Sequence, residues 1–243
     1  MESIDKVVGT FEKTDETPMA GVPNVSPAVI RRLPRYHRYL RNLIEAGRGR
    51  ISSGELSAMM NVTASQIRQD LNCFGGFGQQ GYGYNVKYLY GKISELLGVN
   101  EDFHTIIIGA GNLGRALAGT HMFERRGVTR LAMFDNDPAL VGKEILGLPV
   151  LHIDSLEAFC AENRVDFAVM ATPREAAPAI VERLSHLGVH GVWNFSNMEL
   201  ASANPDMVIE NIHLSDSLMK LCFDLKKANE GKESGKTNKK ADK

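Results

Sequence analysis

Gly109, Gly111 and Gly114 make a G-x-G-x-x-G pattern in "GAGNLG", directly after the β-branched run "TIII" and directly before the apolar run "RALAGTHMF". Strand, glycine turn and helix in that order suit a dinucleotide. The first glycine permits the turn, the second lets the pyrophosphate approach the backbone, and the third lets helix and strand pack closely. The loop residues Gly109, Ala110, Gly111, Asn112, Leu113 and Gly114 are therefore expected to bind cofactor, with the helix amides facing its phosphates. Asp135 closes a second apolar strand, "RLAMFD", 21 residues past Gly114. A carboxylate there hydrogen-bonds ribose hydroxyls and repels a ribose phosphate, so NADH/NAD+ is expected over the phosphorylated cofactor. CoA binding, or a purely structural role for the loop, is the alternative.

A second set of residues suits nucleic acid. In "ISSGELSAMMNVTASQIRQDLNCFG", Ser52 and Glu55 form a capping box, and Thr63 and Gln66 repeat it. Two capped starts 11 residues apart leave room for a short helix, a turn near Asn61 and a second helix, which is helix-turn-helix spacing. With Ile67 and Leu71 facing inward, Ser65, Gln66, Arg68, Gln69 and Asn72 face outward, and such side chains read base edges or phosphates. The glycine-rich, aromatic stretch "FGGFGQQGYGYNVKYLYGKI" follows and reads as the hairpin wing of a winged helix. Gly81 and Tyr84 lie in that wing, and Lys87 and Lys92 are available to phosphate.

The elements that must position these residues divide the chain by charge. Residues 26–98 carry ten basic and four acidic side chains, whereas residues 99–223 carry nine and sixteen. A basic block beside an acidic one indicates two domains with different partners. Ser26-Pro27 opens the first helix and Gly47 ends it. Pro34 should either kink it or move its start to near Leu33. Past the glycine loop, strands "PVLHI", "VDFAVMAT", "GVWNF" and "MVIENIHL" recur at α/β intervals, with the helical run "REAAPAIVERLSHLG" between the second and third. The fold class is thus α/β: a winged-helix DNA-binding domain at residues 26–99, then a Rossmann, doubly wound parallel sheet at 100–213. Thr172 and Pro173 fall at a carboxyl strand end, near the cofactor crevice.

Apolar residues at 214, 218, 221, 222 and 225 give the last segment, 214–227, one amphipathic stripe. It packs on its own domain or is exchanged in a homodimer, and a winged helix reading a palindrome should be a dimer. Residues 1–25 and 228–243 are expected to be disordered tails. No membrane span or secretory signal is read, so the expectation is cytoplasmic. Cys73, Cys160 and Cys222 are widely spaced, with no metal-ligand pattern, and are expected to be reduced and mostly buried. The seven histidines make no catalytic motif. Few residues follow the last strand, leaving no room there for a substrate domain, so no catalytic residue is assigned. An oxidoreductase with an accessory DNA-binding domain is the alternative of another class.

Together, "TASQIRQDLNCFG", "GQQGYGYNV", "GAGNLGRAL", "MFDNDP", "TPREAA", "GVWNF" and "IENI" make the chain, from about Ser26 to Lys227, similar to the Rex family of redox-sensing transcriptional repressors. The resemblance implies a homodimer with swapped C-terminal helices. It would bind an inverted-repeat operator in double-stranded DNA and release it when NADH binds. It also implies a redox relay in which Arg38 matches the family's arginine. His213 stands where an aspartate is usual, and Thr120 stands where a tyrosine near the nicotinamide is usual. Gln69 and Gln80 stand where basic residues are usual, which lowers phosphate attraction. A Rex-like chain with an altered NADH response is the variant reading these departures imply.

Overall fold

The computed structural model describes residues 26–73, 78–79, 83–99 and 101–238. The chain divides into two units at Glu101/Asp102, with Arg125–Gly127 joining the first. The expected tail at 1–25, together with Gln80 and Gly81, lies outside the described residues.

In the first unit, helix α1 (Pro27–Ile30) is a single turn, and α2 (Leu33–Glu45) starts afresh. Pro34 has no N–H to offer Ile30, so the chain breaks before it rather than kinking through it. Gly47, at φ 71°, closes the first helical segment. Helices α3 (Ser53–Met60) and α4 (Ala64–Asn72) are joined by a tight turn in which Asn61 is left-handed, at φ 51°. Strands β1 (Arg50–Ile51), β2 (Gly78–Gln79) and β3 (Gly83–Asn85) form an antiparallel sheet ordered β1-β3-β2, and α5 (Val86–Leu96) follows. Leu40, Leu56, Met60, Ile67, Leu71 and Ile93 are fully buried and hold helices and sheet in one core.

The second unit is a seven-stranded sheet of β4 (Phe103–Ile108), β5 (Val128–Asp135), β6 (Glu144–Ile145), β7 (Leu148–His152), β8 (Phe167–Met170), β9 (Gly191–Asn194) and β10 (Val208–Asn211). Its order is β10-β9-β8-β4-β5-β7-β6, parallel throughout except for the β6–β7 hairpin. Numbered by the six parallel strands, that is 3-2-1-4-5-6, with a switch point between β4 and β8. Ile106 and Ile108 pack into the core on one face and Ile107 into that on the other, which explains an unbroken isoleucine run. Helix α6 (Asn112–Ala118) is shorter than the apolar run "RALAGTHMF" implies. Helix α7 (Leu156–Glu162) and strand β6 have no counterpart in the sequence reading; α8 (Ala177–His186) does.

Helix α9 runs from Leu214 to Asn238, so residues 228–238, expected to be disordered, continue the helix. The pairs Lys220–Asp224 and Lys226–Glu230, each spaced four residues apart, support it. Leu214, Leu218, Met219, Leu221, Phe223 and Leu225 are each more than half exposed along it. Of the cysteines, Cys160 is half-buried, but Cys73 and Cys222 are exposed rather than packed as small hydrophobes. No described helix is long and apolar enough to cross a membrane, and no described group of three or more acidic, histidine or cysteine side chains could hold a metal.

Candidate functional site

At the carboxyl end of β4 the chain turns through the glycine loop into α6. Gly109 has φ 103°, and a Cβ there would lie 2.5 Å from the Ala171 carbonyl. At Gly114 a Cβ would come within 1.8 Å of the Gly109 carbonyl, so only glycine lets the helix pack on the turn. Gly111 differs: among the described residues a Cβ would meet nothing within 4 Å, so the space before it is open. The fold requires glycine at two of these positions, and at the third it does not.

Asp135, at the end of β5, accepts the Ala110 N–H through Oδ2 at 2.7 Å and the Asp137 N–H through Oδ1 at 2.9 Å. Each oxygen keeps a lone pair for a ribose hydroxyl. Thr172 and Pro173 follow β8 across the switch point from this loop. Thr172 Oγ1 is buried and has no hydrogen-bond partner among the described residues. An orphaned buried hydroxyl, an open glycine cradle and a carboxylate at the second strand end together fit a dinucleotide. Asn112 and Leu113 open α6, and Asn112 Oδ1 accepts a bond from Arg115 Nη2. Thr120 lies just past α6, and its hydroxyl donates to the Leu117 carbonyl at 2.8 Å.

In the first unit the capping box before α3 is complete. Ser52 Oγ accepts the Glu55 N–H, and Glu55 Oε2 accepts the Ser52 N–H at 2.8 Å. The Ser52 amide, the Arg48 guanidinium and the Ser52 hydroxyl together lower the Glu55 carboxyl to about 2. The second box is only half made: Thr63 Oγ1 accepts the Gln66 N–H, but the Gln66 carboxamide turns forward and donates to Asp70 Oδ1 at 2.8 Å. A charged acceptor one turn on outcompetes a neutral contact at the cap.

Ser65, Arg68, Gln69 and Asn72 form an exposed stripe along α4, with Gln66 half-buried at its edge. Arg68 also donates to Ser53 Oγ at 3.1 Å. Lys87 is exposed in the first turn of α5. Tyr84, expected as a wing contact, is only 7% exposed and paired with Ile51 across the sheet, so its ring belongs to the core. Period-two alternation decides this: Gly83 and Asn85 take the outer face, leaving Tyr84 inward.

Sequence reasoning passed over Asp70. Its side chain is fully buried, yet both oxygens are saturated: Oδ1 accepts from Arg32 Nη2 and Gln66, and Oδ2 accepts from Arg32 Nε and the Tyr36 hydroxyl. Burial alone would raise its carboxyl, but the Arg32, Gln66 and Tyr36 bonds outweigh that and hold it below the ordinary range. Burial, then the bond to Asp70, pushes the Tyr36 hydroxyl up. Of the two relay residues, Arg38 is exposed on α2 with its guanidinium over the Tyr39 ring. His213 follows β10, and its Nε2 lies 2.7 Å from Glu199 Oε2.

Two family profiles cover these units: "Putative DNA-binding protein N-terminus" matches residues 24–72, and "CoA binding domain" matches 100–198. The redox-sensing transcriptional repressor Rex of Thermoanaerobacter pseudethanolicus is 49% identical over 207 residues, which is 85% of this chain and 92% of that one. This chain belongs to the Rex family. The Rex of Clostridium botulinum is 50% identical over 82% of this chain and 94% of its own. Among solved structures, RSP in complex with β-NAD+ and operator DNA superposes with a TM-score of 0.79 at 47% identity, covering 86% of this chain and 96% of RSP. RSP with β-NADH gives 0.79 at 44% identity, covering 86% and 98%. The Rex architecture of a DNA-binding unit followed by a parallel α/β sheet is thus the one seen here.

Proposed function

We propose that this Rex-family chain is a transcriptional repressor that senses NADH/NAD+ and binds an inverted-repeat operator as a cytoplasmic homodimer. One observation carries this: a helix-turn-helix with an exposed polar stripe on its second helix shares a chain with a strand–glycine turn–helix whose Gly111 faces open space. On this reading α4 enters the major groove. Ser65, Arg68, Gln69 and Asn72 meet bases or phosphates, and Lys87 meets the backbone. Gly109–Gly114, Asp135, Thr172 and Thr120 hold the cofactor. Asp135 disfavours a ribose that carries a phosphate, as that of CoA does, and so favours NAD(H). The cofactor acts as a signal with no turnover, in keeping with relatives named as repressors. The leucine-bearing face of α9 is covered by a second copy, which provides the two-fold symmetry a palindrome requires.

A gel-shift titration of one inverted-repeat fragment with each nucleotide tests this. NADH should release the DNA at concentrations where NAD+ does not; equal effects of the two would sink redox sensing. A second reading rests on Thr120 and His213. The Thr120 hydroxyl is tied to its own helix, and His213 is held by Glu199. A relay from Arg38 then lacks its usual acidic partner, and the response to NADH is weaker or altered.

A further inference from the structure

We propose that Gln66 is a specificity-determining residue that selects adenine in the operator, and that buried Asp70 is the positioning residue that fixes its orientation. The inference rests on the repressor reading above and goes beyond it in assigning a base. Gln66 is the third residue of α4, in the N-terminal turn that helix-turn-helix readers present to base edges. A carboxamide can ordinarily be turned end for end, exchanging its donor and acceptor. Here that freedom is removed. Asp70 is a depressed-pKa carboxylate that only accepts, so the Gln66 Nε2 must face it, at 2.8 Å.

The carboxylate itself cannot turn. Arg32 grips it with two parallel bonds of 2.7 Å, and the Tyr36 hydroxyl adds a third at 2.9 Å. With Gln66 the four acceptor sites are filled. Gln66 is left with Oε1 as acceptor and one N–H as donor, in a fixed sense. Adenine offers the matching pair in the major groove, an N6 donor beside an N7 acceptor, whereas guanine offers two acceptors. Arg32 caps α2 and Tyr36 lies within it, 38 and 34 residues before Asp70, so the orientation is set from outside the recognition helix.

The test is selection of full-length protein on a pool of randomised inverted repeats, with wild type, Gln66→Ala, Asp70→Asn and Tyr36→Phe compared base by base. Wild type should enrich adenine at one position in each half-site. Gln66→Ala should flatten that position by about five- to a hundredfold and leave the others intact. Asn at 70 offers both donor and acceptor, so Gln66 can turn, and guanine should be admitted at that same position only. Tyr36→Phe removes a donor to the carboxylate but not the bond to Gln66, and should keep the preference. If Gln66→Ala or Asp70→Asn weakens all sequences alike, the role is structural and the inference is overturned. If Asp70→Asn does not fold, side-chain amide NMR of wild type decides the positioning: one Gln66 Nε2 proton should be strongly downfield and slow to exchange, and a freely averaging pair overturns it. No enrichment by wild type on any sequence overturns the repressor reading itself.

Discussion

The Asp135 carboxylate accepts the Ala110 amide at 2.7 Å, so the residue expected to grip the ribose also fastens the glycine loop to the end of β5. Removing it has two consequences. Asp135→Ala should lower NAD(H) affinity by about tenfold or more, since a hydrogen bond to a charged group contributes ~1.5–3 kcal/mol. It should also speed amide exchange at Ala110. Calorimetric titration measures the first effect and hydrogen exchange the second. An affinity loss with unchanged exchange would leave only the ribose role.

Gly111 and Gly114 should respond oppositely to the same methyl group. Gly114→Ala drives a Cβ into the Gly109 carbonyl and should destabilise the second unit by about 1–3 kcal/mol. Gly111→Ala meets open space, so stability should hold while nucleotide affinity falls. The sole tryptophan, Trp193, lies in the second unit, and its fluorescence follows both melting and binding there.

Acid should weaken the first unit through Asp70 and Glu55. Both carboxyls are depressed in the folded chain, so their contribution is present above the unfolded values of about 4 and is lost as pH falls through the folded ones. For Glu55 that window runs from about 4.3 down to about 2. Glu55→Gln should flatten the stability curve in that interval. Asp70→Ala should cost about 2–3 kcal/mol near neutrality, because Arg32 and Tyr36 lose their partner. All six tyrosines belong to the first unit and the tryptophan does not, so a melt in near-ultraviolet absorbance that precedes the change in Trp193 fluorescence reports this unit.

Thr120→Tyr with His213→Asp should restore the residue types usual in the family and sharpen release of operator by NADH. The midpoint of an NADH titration in gel shift, wild type against the double variant, reads the effect. An unchanged midpoint would mean these departures do not set the response.

The second unit was legible because its strands are buried on both faces and read as β-branched runs, with the glycine loop marking the first crossover. The first was legible through its caps, whose residues are neighbours in sequence. What escaped depends on distant partners. Asp70, in the polar run "RQD", looks solvated until Arg32 and Tyr36 are brought to it from 38 and 34 residues away. Gln66 looks like half of a capping box for the same reason. Tyr84 stands among glycines and looks exposed, yet the three-stranded pairing turns it inward. The single-turn α1 and the start of α2 were visible only as alternatives, because Pro34 permits either.

The four-donor arrangement around Asp70 bears on how such a reader is re-engineered. Helix α4 is not a portable cassette: grafted alone onto another scaffold, it would carry an inward-facing carboxylate with no guanidinium or phenol to receive it. Retargeting by helix exchange therefore requires Arg32 and Tyr36 to travel with Asp70, and an exchange that omits them removes folding stability along with sequence choice.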